Sequence, residues 1–436
     1  APRRPRQAKR NGDNVRKAKR TSVAPRSSVP WGAGATMAAL GQYLDAASAA
    51  VRAQDGAQLA RLLDVANPDA MRAVTSALAE NREVNLGALC QQRLPQPHDE
   101  VFAFHCQCLG AIAEGRAEDA FAAVTSTTQA FVKDFRLQET AWSLDALVNL
   151  VKAAKALAER ADAALAAAGK KAGKLHDAGA LLMLVYRNTA NTSVQEKKRA
   201  SLFLVVSLFK IYFKLNTLHL CKNLIAAVNL PTFPSFESFP SSQKVTYSYY
   251  VGRLAVFDDD YARAEKNLTY AFEHCSARHP KNKKLVLRYL VPVKLILGRR
   301  PTARLLDKYA LDEYKSVVEC VRKGDVRQLN DALQKHQVTF IMQGTFLVLE
   351  KLRDVATRAL FQKTHAFCAA KHPQKANQVS LHVFAKALAW CGAGMDIDEV
   401  ECVVANLIFR KLIKGYVSHK SRVVVLAKTG AFPPLS

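Results

Sequence analysis

"KLIKGYVSHKSRVVVL", Lys411 to Leu426, is the stretch whose reading decides the fold. Two short β-favouring runs flank a tip, His419 to Arg422, built only from basic and hydroxyl side chains. The tip lacks the Asn-Gly of a two-residue turn, so a slightly longer loop is expected. Just upstream, "MDIDEVECVVANLIFRKLIKG" places Asp396 and Glu399 at the spacing of a capping box. Ile397, Val400, Val404, Leu407 and Ile408 recur at intervals of three and four as an inward stripe, and Gly415 reads as the residue that ends the helix. Before that, "SLHVFAKALAW" reads as a helix with Ser380 as its N-cap, and "FLVLEKLRDVATRALFQKTHAF" as one amphipathic helix. Helix, helix and hairpin in this order make a winged helix over 345–436.

Charge decides how such a module could meet a polyanion. After Glu401 the chain has no acidic residue, while Arg410, Lys411, Lys414, Lys420, Arg422 and Lys428 are cationic. The start of the same helix carries Asp396, Asp398, Glu399 and Glu401, which phosphates repel, so insertion of that end into a groove is disfavoured. The cationic end and the wing suit the backbone instead, with salt-sensitive and nearly sequence-blind binding. Equally, Arg410, Lys411 and Lys414 can simply complement the helix dipole and stay solvated, and these residues alone leave both readings open.

A second basic strip lies between Arg278 and Lys308, with ten Lys or Arg against the single acid Asp307. An excess of this size reads as a docking surface, with Lys283, Lys284 and Arg288 as candidate contacts. Tyr289 and Tyr309 offer stacking or, more simply, belong to the core or rim.

Further upstream the chain reads as helical hairpins. At "VRAQDGAQLARLL", "IAEGRAEDAFAAV", "AVFDDDYARAEKNL" and "VRKGDVRQLNDAL" a helix stops at a small or acidic turn and another starts at once. The spacing is irregular, which describes a degenerate tetratricopeptide-like solenoid whose units bury their faces only against neighbours. The loop "LPTFPSFESFPSSQ", Leu230 to Gln243, interrupts the helices and is expected to clip onto them through its phenylalanines. The division expected is a basic arm or leader at 1–36, N-terminal repeats at 37–200, further repeats at 201–344 and the winged helix at 345–436.

Composition agrees with a large core and an acidic partner. Of 436 residues 49% are apolar, and 63 Lys plus Arg against 37 Asp plus Glu give a net charge of +26. Residues 1–36 contribute ten basic residues and one acid, Asp13, and almost no large apolar residues to fold around. They read either as a targeting or nucleic-acid-binding arm or as leader sequence ahead of Met37. Nine scattered cysteines read as reduced thiols of the cytosol or nucleus. "LFLVVSLFKIYF", Leu202 to Phe213, is too short to span a bilayer and reads as a buried helix, so no membrane insertion is expected.

No chemistry is expected. "HCQC" at His105 and "HAFC" at His365 fit no common four-ligand metal set. There is no His-x-His pair and no nucleophile with an oriented base, and Gly169 to Lys174 resembles a phosphate loop only until Leu175 replaces the required Ser or Thr. No catalytic residue, cofactor or metal is assigned.

The stretches "LFLVVSLFKIYFKLNTLHLCKNLI", "VTYSYYVGRLAVFDDDYARAEKNLTYAFEHC", "KNKKLVLRYLVPVKLILG" and "DIDEVECVVANLIFRKLIKGYVSHKSRVVVL" resemble the PCI domain-containing protein 2 family. The resemblance runs from about Met37 to Ser436 and is strong from Ser201 onward. That family includes the Thp-type subunit of transcription and mRNA-export complex 2 and a signalosome-associated relative. It implies a PCI fold without enzymatic activity, a larger Sac-type PCI scaffold as partner, a small acidic Dss/Sem-type protein, and RNA and double-stranded DNA as ligands. It implies a nuclear location at the pore, with some protein in the cytoplasm. On this resemblance Lys411, Lys414, Lys420 and Arg422 face nucleic acid, with the strip around Lys283, Lys284 and Arg288 as the other candidate. The alternative is a purely protein-binding scaffold of a signalosome-like or proteasome-lid-like assembly.

Overall fold

The computed structural model describes residues 33–81 and 84–435, so most of the expected basic arm lies outside the described residues. The first helices are α1 (Ala33–Arg52), α2 (Gly56–Leu62), α3 (Pro68–Glu80), α4 (Leu86–Arg93), α5 (His98–Ala113), α6 (Ala117–Leu137), α7 (Leu144–Ala167) and α8 (Lys174–Ala190). There follow α9 (Ser201–Lys214), α10 (His219–Val228), α11 (Ser241–Phe257), α12 (Tyr261–His274), α13 (Pro280–Ile296), α14 (Ala303–Lys308), α15 (Glu313–Lys323), α16 (Val326–Lys335), α17 (Gln337–Gln343), α18 (Phe346–Glu350) and α19 (Leu352–Lys371). The chain closes with β1 (Gln378–Ser380), α20 (Leu381–Trp390), α21 (Ile397–Phe409), β2 (Gly415–Ser418) and β3 (Val423–Leu426).

All four expected hairpins form, and they share one local mechanism. Each first helix ends at a left-handed residue, Gln54 (φ 52°), Gly115 (φ 73°), Asp259 (φ 60°) or Gly324 (φ 73°). The next backbone N–H turns back to the carbonyl five residues earlier: Asp55 to Ala50, Arg116 to Ala111 and Asp260 to Ala255 at 2.9 Å, and Asp325 to Cys320 at 3.0 Å. Three of these residues then cap the second helix, the Asp55, Asp260 and Asp325 carboxylates accepting from the N–H groups of Gln58, Arg263 and Gln328 at 2.9, 3.0 and 2.9 Å. One short segment thus ends a helix and starts the next, and consecutive helices pack antiparallel. At Gly324 a second constraint applies, because a Cβ would stand 2.6 Å from the Leu360 nitrogen of α19.

The core falls into three packed clusters in chain order, from Leu40 to Leu254, from Ala255 to Ala356 and from Leu360 to Ala431. Helix α19 joins the last two, giving Val355 and Ala356 to one and Leu360 and Phe361 to the other. The phenylalanine-rich loop clips on as expected: Phe239 is buried, 5.6 Å from the Phe233 ring, and Phe236 lies 5.6 Å from Tyr247. The apolar run of α9 is buried, and among the described residues no helix is long and apolar enough to cross a membrane. At Gly173 to Leu175 the Asp162 carboxylate accepts three backbone N–H groups at 2.8–2.9 Å, which fills the α8 N-terminus that a phosphate would need.

The C-terminal module is a winged helix with a three-stranded antiparallel sheet in the order β1-β3-β2. The hairpin pairs Ser418 with Val423 around the His419–Arg422 tip, as the sequence suggests, and the capping box of Asp396 and Glu399 is complete. Three local expectations need correction. Strand β1 was not anticipated, since three residues are too few to show an alternation. The single helix expected from Phe346 is two, α18 and α19, divided at Lys351. Gly415 does not end α21; the helix stops at Phe409, Lys411 takes the left-handed position at φ 60°, and Gly415 sits in β2, where a Cβ would meet the Val425 carbonyl at 2.4 Å.

The module is fastened to the solenoid along α19. Arg358 is buried and among the described residues has no carboxylate partner; its Nε donates to the Leu412 carbonyl at 3.0 Å and its Nη2 to that of Pro433. Phe432 then packs in the winged-helix core and Leu435 against the solenoid, where it closes on Gly298.

Candidate nucleic-acid interface

The left-handed turn at Lys411 lets the Leu412 N–H reach the Leu407 carbonyl at 2.9 Å and throws the chain out of α21 toward the wing. Lys414 is pinned by its backbone, donating to the Ala431 carbonyl at 2.8 Å and accepting from the Ala427 N–H at 2.9 Å, while its side chain is exposed. Lys420 is exposed at the tip, and Lys428 is exposed just after β3. Among the described residues Lys411, Lys414 and Lys420 have no carboxylate partner.

The two arginines assigned to the same surface behave otherwise. Arg410 pairs with Asp354 of α19. Arg422 turns inward and pairs with Glu401 at 2.6 Å and with Asp398 at 2.5 Å, and Glu401 also meets His419 Nδ1 at 2.9 Å. This corrects their assignment as free contacts: the acidic start of α21, read from sequence as a repelling end, lies beside the wing tip and takes up its arginine.

In the α13 strip several of the cations are engaged within the fold. Lys283 Nζ donates to the Phe272 carbonyl in the last turn of α12 at 2.9 Å and lies 4.7 Å from the centre of the Phe272 ring. Lys284 Nζ donates to the Ala310 carbonyl at 2.7 Å, just past α14. Lys283 thus satisfies a carbonyl that the end of α12 leaves over, and Lys284 one in the turn after α14. Arg288 is half-buried with an unpartnered Nε, and Lys294 and Arg299 share Glu265. Tyr289 is core, its hydroxyl donating to the Gln343 carbonyl at 2.7 Å, and Tyr309 packs edge-on to Phe272 at 5.9 Å.

Sequence reasoning missed Tyr416, which is 62% exposed on β2 next to the lysines. The signal was available in the alternation of β2, since Val417 pairs with the buried Val424 and its neighbour must face out. It also missed an apolar stripe on α17 and α18, where Val338, Ile341, Met342 and Leu347 are all exposed.

Of the groups considered for chemistry the first set is core, while His365 and Cys368 are half-buried on α19. His105, Cys106 and Cys108 are buried in α5; burial pulls the His105 imidazole down to about 4, opposed by the nearby Leu62 carbonyl, and pushes the Cys108 thiol up to about 12. Among the described residues no group of three or more His, Cys, Asp or Glu side chains could hold a metal ion.

Comparison with known proteins sets this architecture in a lineage. The PCI domain family matches residues 333–428, which takes in the winged helix and the helices leading to it. PCI domain-containing protein 2 of Xenopus laevis is 39% identical over 407 residues, covering 91% of this chain and 98% of the relative. Enhanced ethylene response protein 5 of Arabidopsis thaliana is 39% identical over 396 residues, covering 91% and 95%. The CSN12 homolog of Neurospora crassa is 32% identical over 276 residues, covering 60% and 61%. With likeness of this extent along both solenoid and winged helix, the chain belongs to the PCI domain-containing protein 2 family.

Proposed function

We propose that this PCI scaffold is a non-enzymatic adaptor that holds RNA or duplex DNA by its backbone through the wing face. It works in mRNA export coupled to transcription at the nuclear pore, in the nucleus and partly in the cytoplasm. The observation that carries the reading is the set Lys411, Lys414 and Lys420, exposed and without carboxylate partners in a chain of net charge +26. The exposed ring of Tyr416 beside them supports it, because an aromatic face takes an unstacked base without regard to sequence. The larger Sac-type scaffold and the small acidic Dss/Sem-type protein belong to this proposal as partners. A second wing beside this one would add phosphate contacts.

Fluorescence anisotropy of the full chain with labelled duplex DNA, and with RNA of the same length, tests it. Three lysine contacts predict a log–log salt slope of roughly −3 for the duplex, and the K411E/K414E/K420E variant loses on the order of a hundredfold in affinity at low salt. Unchanged binding by that variant sinks the wing assignment.

A second reading, a protein-binding scaffold of a signalosome-like assembly, is favoured by the exposed stripe Val338, Ile341, Met342 and Leu347, of a kind that marks contact with another protein. The companions recovered with the chain from native extract separate the two.

A further inference from the structure

The wing tip and the start of α21 form a single charge cluster. Glu401 is only 19% exposed at its side chain and receives Arg422 at 2.6 Å and His419 at 2.9 Å, while Arg422 also meets Asp398. The arginine backbone is fixed as well. Its φ is 53°, its N–H donates to the His419 carbonyl at 3.2 Å, and its own carbonyl accepts from the Leu381 N–H at the head of α20 at 2.9 Å. A lone exposed ion pair contributes little, but here one guanidinium spans two carboxylates, one of them largely covered, from an anchored backbone.

The position of these carboxylates matters more than the stability of the pairing. Asp398 and Glu401 stand on the side of α21 that the tip touches, two residues along the chain from Lys420 through Arg422. Without Arg422, Asp398 would have no cationic partner among the described residues and Glu401 would keep only His419, beside the tip that carries Lys420, where unscreened negative charge opposes a phosphate. We infer that Arg422 is a positioning residue that offsets the charge of Asp398 and Glu401 so that the wing lysines can accept a polyanion, and that it is not itself a phosphate contact. The inference rests on the reading of the wing as a nucleic-acid surface.

The two roles for Arg422 predict opposite outcomes when the carboxylates are removed. In the full chain, R422A weakens binding of labelled duplex DNA roughly tenfold at low salt under either role. If Arg422 acts on the carboxylates, the R422A/D398N/E401Q variant recovers to within about threefold of wild type with the wild-type salt slope. If Arg422 holds a phosphate, that variant stays as weak as R422A and its slope is shallower by about 0.9, which overturns the inference. Repeating the pair with Arg422→Gln, which keeps a polar stem at the tip, covers the case in which alanine disturbs the loop. RNA of the same length is run beside the duplex. Failure of the wild-type chain to bind either probe is a different result: it removes the wing reading itself, and the inference with it.

Discussion

The α13 strip and the wing carry similar densities of Lys and Arg, yet the fold uses them in different ways. On α13 the ammonium groups of Lys283 and Lys284 point at carbonyls of neighbouring segments, and Lys294 and Arg299 converge on Glu265. On the wing Lys411, Lys414 and Lys420 follow a left-handed turn and a hairpin, and among the described residues their ammonium groups make no hydrogen bond or ion pair. A helix inside a solenoid has helix ends on both sides, each offering unpaired carbonyls, whereas the tip of the hairpin projects beyond the end of α21. Four cations of the strip are therefore engaged within the fold, while Arg278, Lys281, Arg300, Arg304 and Lys308 stay exposed without a carboxylate partner among the described residues, as the three wing lysines do.

Measurements of stability and binding on the same variants can break this contrast. The largest effect is expected at the extreme of the inward class. Lys197 is 1% exposed, donates to the Phe135 carbonyl at 2.6 Å and to that of Gln138, and lies 4.7 Å from the centre of the Phe135 ring. Lys197→Met leaves those carbonyls unpaired and should cost about 3 kcal/mol in denaturant unfolding, with nucleic-acid affinity unchanged. A loss under about 1 kcal/mol would show that the buried ammonium adds little over its methylene stem.

His105 sharpens the contrast from the other side, as a base that the core keeps neutral. Its folded pKa of about 4 lies below the ordinary 6.5, so the unfolded chain binds the extra proton between these values. Its contribution to stability is therefore present above pH 6.5 and lost as pH falls toward 4, with a slope approaching 1.4 kcal/mol per pH unit. Unfolding of His105→Leu against wild type across that window should show the slope removed; parallel curves would count against the assignment.

The smallest effects test the strip directly. Lys283→Met and Lys284→Met should each cost about 1 kcal/mol and leave duplex affinity within about twofold of wild type. A tenfold loss of affinity in either variant, with stability intact, would return the strip to the nucleic-acid surface.

Features fixed by neighbours in the chain could be read in advance. The four hairpin turns need a left-handed residue and three of them add a capping aspartate directly after it, and Gly115, Gly324, Asp55, Asp260 and Asp325 announce them. The capping box of Asp396 and Glu399 and the tip between Ser418 and Val423 are equally local. What stayed hidden depends on distance along the chain. Glu401 and Arg422 are separated by 21 residues, and Arg410 and Asp354 by 56, so a surplus of basic residues gives no sign of which are spoken for. Strand β1 exists only because β3 offers it an edge, and its three residues carry no pattern of their own.

The fastening along α19 has a mechanical consequence. Leu435 lies against Gly298, next to the Arg299 that pairs with Glu265, while two residues earlier the Pro433 carbonyl is held by Arg358, whose Nε grips Leu412 beside the wing lysines. Any torque on the hairpin is thereby delivered to the α13–α14 corner through a few residues of chain. A pull on the wing would be felt at that corner.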